Sequence, residues 1–324
     1  MSANPNLLLL ARQPLILHPV WRTVNANERN ALLSAWIKPS SVDEQARQER
    51  AERMVKEAIA QHGAFDDDRA QISVYTKGSY PNNTNVRSDS DVDVVVENGS
   101  LQYYKYASYV APQAGPLPPY QGIWTPDLWR KEVLSALCKT FGGDVDETGK
   151  IAIYVPVVPG SRPSIDVVPS FLFRMYTDTD RNACQVGSRV FDTAGSPVDN
   201  WPKQQLENGR SKNTATGGRY KYYVRALKNA ENTLCARGLI TDLPSYLMEC
   251  LVYNVPDENL KAGDLDAGFR STLVYLFNNT RTDDLCAKFI EPNGCKYLFE
   301  AGKKWTRQDA HGLLSAAWDL LDYS

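Results

Sequence analysis

Lys77-Gly78-Ser79-Tyr80, followed after a polar stretch by Asp89-Ser90-Asp91-Val92-Asp93-Val94-Val95-Val96, decides how the rest of the chain is read. Eleven residues lie between Ser79 and Asp91. A tight Gly-Ser turn can donate backbone and hydroxyl groups to a triphosphate. Carboxylates two apart on a strand share one face and can share a pair of divalent ions, which makes Asp91 and Asp93 candidate metal ligands. Val92, Val94 and Val96 then face the other way, into a core. Asp89 rivals Asp93, but it sits in polar turn sequence, whereas Val92 and Val94 place Asp91 and Asp93 in the strand.

Outward from this unit the chain alternates and then turns helical. Ile72–Thr76 is β-branched and alternating, which predicts a strand that delivers Gly78-Ser79. Upstream, residues 28–37 predict a short helix that breaks before Pro39. Ser41-Val42-Asp43-Glu44 reads as a capping box opening a long helix that ends at Gly63. Tyr103, Tyr104, Tyr106 and Tyr109 crowd the segment after the Asp91–Glu97 strand, where packing or a peripheral face is favoured over base stacking. Thr125-Pro126-Asp127 opens a helix to Phe141, with Pro126 at its first position and Gly142-Gly143 ending it. Residues 150–157 and 163–169 read as a hairpin-like pair of strands, and 171–176 as a third. Residues 177–218 are loop-rich, and a domain boundary is expected within 177–205. From Arg219 the pattern is helical, over 219–236, 244–254, 264–278, 282–289, 295–303 and 307–322.

The later strand carries Ile165-Asp166-Val167-Val168. One acid in a segment built for burial is costly unless it is paired or binds metal. Asp166 therefore completes a candidate three-carboxylate centre with Asp91 and Asp93. In 219–236, Lys221, Arg225 and Lys228 fall at i, i+4 and i+7, on one helix face. Tyr223, Leu227, Ala230 and Leu234 lie nearly opposite. The helix is expected to bury its apolar side and aim a cationic stripe outward, where it could receive a triphosphate or simply be a solvated face.

Composition sets the outer limits. The chain has 324 residues with 43% hydrophobic and 23% charged content, enough for two ordinary globular units. A net charge of −2 argues against a surface coated for long nucleic acid, though it leaves room for one local basic groove. Six cysteines without a C-x-x-C pair, beside three histidines, argue against a zinc module and for reduced thiols in a cytoplasmic protein. The apolar run Asn6–Leu10 is too short for a membrane span and no convincing signal peptide.

With these residues in place, the sequence resembles the polymerase-β-like nucleotidyltransferases, and more closely the cGAS/DncV-like nucleotidyltransferases, which make cyclic oligonucleotide second messengers. The resemblance rests on Gly78-Ser79-Tyr80, Asp91-Val92-Asp93 and Ile165-Asp166-Val167-Val168-Pro169. It extends to Trp36-Ile37-Lys38-Pro39, Asn200-Trp201-Pro202, Val224-Arg225-Ala226-Leu227-Lys228 and Pro244-Ser245-Tyr246-Leu247-Met248-Glu249. It implies an α+β fold: a nucleotidyltransferase core with a mixed sheet (residues 1–190) and a C-terminal helical domain (191–324), with a cleft between them. It implies that Asp91 and Asp93 bind two Mg2+ ions, with Mn2+ as the alternative, and that Asp166 completes the site and helps activate the acceptor ribose hydroxyl. Gly78 and Ser79 would hold the donor triphosphate, Lys228 and Ser245 would contact phosphates, and Tyr246 would stack on a base.

The implied partners are NTP substrates, ATP among them, and a separate effector reached by a diffusible product in antiphage signalling. A regulatory protein partner fits such a scheme. No membrane partner is implied. The chain lacks the cysteine-histidine cluster of the DNA-binding zinc insertion in the animal cyclic GMP-AMP synthase, so DNA activation by that route is not expected. Two other readings share the motifs: a nucleotidyltransferase making linear oligonucleotides or modifying a small molecule, and a catalytically silent nucleotide sensor or scaffold.

Overall fold

The computed structural model describes residues 25–39, 42–86 and 91–323, with the side chains of 42–44 left aside. The expected capping box at Ser41–Glu44, the rival Asp89 and the apolar run at Asn6–Leu10 lie outside the described residues.

Among the described residues six strands form one mixed sheet. Strand β1 (Ile72–Thr76) pairs antiparallel with β2 (Val92–Tyr106), which runs parallel to β4 (Ile165–Tyr176). Strand β3 (Ile153–Val155) is antiparallel to the start of β4, while β5 (Cys184–Phe191) pairs with its second half and β6 (Pro197–Asn200) closes that edge. The order is β1-β2-β4-β5-β6, with β3 on β4. Val92, Val94, Val96, Ile165 and Val167 are fully buried on one side of β2 and β4. Helices α2 (Val42–Ala60) and α3 (Pro126–Phe141) supply Val55, Trp129, Val133 and Leu137 to the same core. Thr125 caps α3 by accepting from the Leu128 amide, and Gly142 ends it at φ +92°.

A second core is helical. It gathers α5 (Arg219–Ala236), α6 (Ser245–Tyr253), α7 (Asp257–Leu260), α8 (Leu265–Asn279), α9 (Asp283–Cys286) and α10 (Arg307–Leu320). Helix α1 (Ala26–Trp36), although first in the chain, buries Leu33 in this second core and ties Arg29 to Asp266 at 2.9 Å. Helix α4 (Pro202–Ala215) follows the last strand directly.

The structure corrects several expectations. The stretch 177–218 is not loop-rich: it holds β5, β6 and α4. Its strands were hidden by polar residues such as Gln185, Ser188 and Arg189, and α4 by a composition with hardly an apolar side chain. The expected separate strand at 171–176 is the second half of β4, and β2 continues past Glu97 to Tyr106 across an irregularity between Asn98 and Gln102. No helix forms over 295–303, where Ile290 instead bridges to Tyr297 and the Leu298 amide donates to the Phe289 carbonyl. Tyr103 packs against Phe171 and Phe191, in keeping with a packing role. None of the six cysteines is in a disulfide.

Candidate active site

The site begins where β1 stops. Its last residue is Thr76, after which the Lys77 amide donates to the Asp93 carbonyl at 3.0 Å. Gly78 then takes φ +81°, and a Cβ there would lie 2.6 Å from Asp93 Oδ2. Glycine is thus required twice, for its backbone angle and for its closeness to a carboxylate. Ser79 follows, its carbonyl accepting from the Thr84 amide at 2.9 Å.

Parallel pairing sets Asp93 directly beside Asp166 in the β2–β4 register, on neighbouring strands that run about 4.8 Å apart. Asp91 precedes the strand and is exposed. Among the described residues none of the three carboxylates joins an ion pair. Burial pushes the Asp93 carboxyl up, with Lys77 opposing and Asp91 adding to the rise. Burial, then the charges of Asp91 and Asp93, push Asp166 up to about 6, with Lys77 again opposing. Among the described residues Lys77 is the cation whose charge opposes these rises, so the three acids are short of positive charge. Their hard carboxylate oxygens, with Asp93 and Asp166 on adjacent strands and Asp91 just ahead of one, suit a divalent cation such as Mg2+.

A cleft of about 820 Å3 opens in front of Asp93 and is lined by Gly78, Ser79, Lys228, Ser245 and Tyr246. Five residues from three distant parts of the chain thus meet beside the central acid. Asp91 and Asp166 adjoin Asp93 by sequence and by register. A neighbouring hollow of about 600 Å3 shares Ser79, Lys228 and Ser245 with the cleft. Tyr246 is half-buried, donates to Glu291 Oε2 at 3.3 Å and meets Trp305 edge-on. Burial raises its hydroxyl pKa well above the ordinary range.

The cationic stripe on α5 does not face outward. Arg225 and Lys228 are 2% and 3% exposed. Arg225 donates to the carbonyls of Ile37 and Asn83, and Lys228 to the carbonyl of Thr84 at 3.0 Å. Helix α5 is central, so the face opposite its apolar stripe meets the loop after the Gly-Ser turn rather than water. Burial lowers the Lys228 pKa, and the charge of Glu249 opposes that shift.

Sequence reasoning missed Lys77, Gln205, Glu249, Glu291 and Asn293, which also line the cleft, and gave no role to Asn200 and Trp201 there. The charge beside Gly78 was a usable signal for Lys77. The others become visible only when distant elements meet. A second acidic group, Glu231, Cys235 and Asp242, has ligand atoms within 4.8 Å of one another. Glu231 there accepts from the Leu243 amide and the Cys235 thiol, so it has a structural task already.

A mixed sheet carrying adjacent strand carboxylates under a Gly-Ser turn, with a helical domain across a cleft, defines a nucleotidyltransferase. Residues 207–322 match the cGAS/DncV-like nucleotidyltransferase C-terminal helical domain. The chain is 35% identical over 288 residues to the cyclic dipyrimidine nucleotide synthase CdnE of Legionella pneumophila, covering 88% of this chain and 95% of that one. Its fold resembles the Rhodothermus marinus CdnE c-UMP-AMP synthase solved with Apcpp and Upnpp, at TM-score 0.75 and 28% identity over 90% of this chain and 95% of that one. It also resembles the Elizabethkingia meningoseptica CdnE cyclic dinucleotide synthase solved with GTP and Apcpp, at TM-score 0.74 and 27% identity over 91% and 99%. The chain belongs to the cGAS/DncV-like nucleotidyltransferase family, enzymes that join NTPs into cyclic oligonucleotides.

Proposed function

We propose that this enzyme condenses two NTPs, at least one of them a pyrimidine nucleotide, into a cyclic dinucleotide. The observation that carries the base choice is the 35% identity, over nearly the full length of both chains, to a cyclic dipyrimidine synthase. A second relative of that name, from Cecembia lonarensis, is 31% identical over 90% of this chain.

In this reading Asp91, Asp93 and Asp166 hold two Mg2+ ions. When bound, these would neutralise the triphosphate and ease loss of the acceptor hydroxyl proton. The Gly78-Ser79 turn receives the donor triphosphate. Ser245 and the Lys228 ammonium face the same phosphates, and the Tyr246 ring supports a base. Asp166, beside Asp93, orients the acceptor ribose hydroxyl and takes its proton. A bond forms from that oxygen to the donor α-phosphorus, and the bond to the β-phosphate bridge breaks, releasing pyrophosphate. Repeating the step on the linear intermediate closes the ring and releases a second pyrophosphate. The product would reach a separate effector by diffusion, in a cytoplasmic antiphage response. Among the described residues no helix is long and apolar enough to cross a membrane.

The test is to incubate the protein with all four NTPs and Mg2+, treat with phosphatase and identify the surviving product by mass. A phosphatase-resistant cyclic dinucleotide containing uridine or cytidine is expected. A product built only from purines removes the base assignment, and a wholly phosphatase-sensitive product removes cyclisation.

A further inference from the structure

Three consecutive residues just beyond the Gly-Ser turn are held by side chains of the helical domain. Asn82 Nδ2 donates to Glu249 Oε1 at 2.9 Å, and Thr84 Oγ1 donates to Glu249 Oε2 at 3.2 Å. The Asn83 carbonyl accepts from Arg225, and the Thr84 carbonyl accepts from Lys228. Gln205 of α4 adds a third donor to Glu249 at 3.0 Å. Asn82, Thr84, Arg225, Lys228 and Glu249 are all buried.

The loop closes back on the site. The Thr84 amide donates to the Ser79 carbonyl at 2.9 Å, and the Asn83 amide to that of Tyr80 at 2.8 Å. Thr84 is the joint: it donates to Glu249, accepts from Lys228 and fixes Ser79 through its backbone. Glu249 also acts on Lys228 by charge. A buried carboxylate with three polar donors is costly to break, because each partner would be left without a substitute from water.

We propose that Glu249 is a positioning residue for the donor nucleotide: through Thr84 it fixes both the Ser79 turn and the Lys228 ammonium in the places a triphosphate requires. The proposal rests on the reading of Gly78-Ser79 as the triphosphate turn. Glu249 acts on a shape, since two of its three bonds go to the loop. Its replacement should therefore degrade nucleotide binding more than turnover at saturation.

The test uses the full chain and steady-state kinetics with NTP and Mg2+, with folding followed by circular dichroism. Glu249→Gln, which keeps the volume but replaces one acceptor by a donor, should raise the NTP KM about tenfold or more and change kcat less. Thr84→Val should do the same, and Thr84→Ser, which restores the hydroxyl, should return KM to near the wild-type value. In the cycle with Ser79→Ala, the Glu249→Gln effect should be largely lost, because both changes act on the same turn. A generally destabilising change would multiply instead. Folded Glu249→Gln and Thr84→Val proteins with unchanged KM, or a multiplicative cycle, overturn the proposal. Should Glu249→Gln fail to fold, the Thr84→Val and Thr84→Ser pair decides alone. An unchanged KM in Ser79→Ala sinks the triphosphate reading itself, whereas a raised KM there with none in Thr84→Val sinks only the role of Glu249.

Discussion

Replacing Asp166 by Asn should make the metal-free protein more stable while abolishing synthesis. In the folded chain Asp166 is partly buried beside Asp93 and near Asp91, and its pKa is raised to about 6. An unfolded aspartate titrates near 3.9. A raised carboxyl pKa means that folding favours the protonated form. Wild-type stability is therefore fullest below about pH 4 and is lost as the pH rises through about 6. The displacement corresponds to at most about 3 kcal/mol at pH 8. Partial solvent access screens the charges and reduces this to about 1–2 kcal/mol. Asn fits the same strand position without the charge. Thermal unfolding in EDTA at pH 8 should place the variant about 2–8 °C above wild type. At pH 4.5 the gap should shrink to about a third to a half of its value at pH 8. Added Mg2+ at pH 8 should raise the wild-type melting temperature far more than the variant's, since a divalent ion needs the carboxylate. The reasoning fails if the variant in EDTA at pH 8 melts below wild type, or if the gap is the same at both pH values.

Gly78→Ala should destabilise the protein by about 1–3 kcal/mol and lower activity more than stability, because its Cβ would collide with Asp93 Oδ2; unfolding curves set beside product yield check this. Tyr246→Leu should weaken NTP binding by about 10- to 100-fold, the equivalent of one base stack. Tyr246→Phe, which keeps the ring and loses the hydroxyl's bonds to Glu291 and Cys250, should weaken it far less, and titration with a non-hydrolysable NTP analogue separates the two. Trp129→Ala should cost about 3–5 kcal/mol, since the side chain is fully buried among Phe65, Trp124 and Phe171; a denaturant midpoint measures it.

What was legible in the sequence was local. Thr125, Pro126 and Gly142 bound a helix by their own chemistry, and Arg219 to Ala236 was read to the residue. Asp91-Val92-Asp93 announced a two-faced strand because its pattern needs no partner to be understood. What stayed hidden depended on company. Polar β5 and α4 exist because β4 and the helical domain supply neighbours, and their own residues carry little periodic signal. The strand read to Glu97 continues to Tyr106, because β4 resumes pairing at Gln102 beyond the irregularity after Asn98. Arg225 and Lys228 satisfied the pattern of a solvated stripe, but the loop at 82–84 and the Ile37 carbonyl turn that face inward. Asn82 and Glu249 are 167 positions apart, so nothing in either neighbourhood points to their bond.

The division of labour across the cleft has a physical reason. The carboxylates repel one another before any cation arrives, so they need a support that cannot relax. Adjacent parallel strands provide it: the backbone ladder fixes Asp93 beside Asp166, and Val92, Val94, Ile165 and Val167 lock the opposite side into a core. For the nucleotide contacts proposed above helices suit better, because one helix can present Lys228 and another can present Ser245, Tyr246 and Glu249 along a single face of the cleft. The loop at 82–84 joins the two supports and meets the Gly78-Ser79 turn at Ser79. A change in how the helical domain sits would therefore reach that turn before it reached the carboxylates. Substitutions in the clasp should accordingly alter nucleotide affinity while leaving the Mg2+-induced rise in melting temperature intact, the opposite of what Asp166→Asn does.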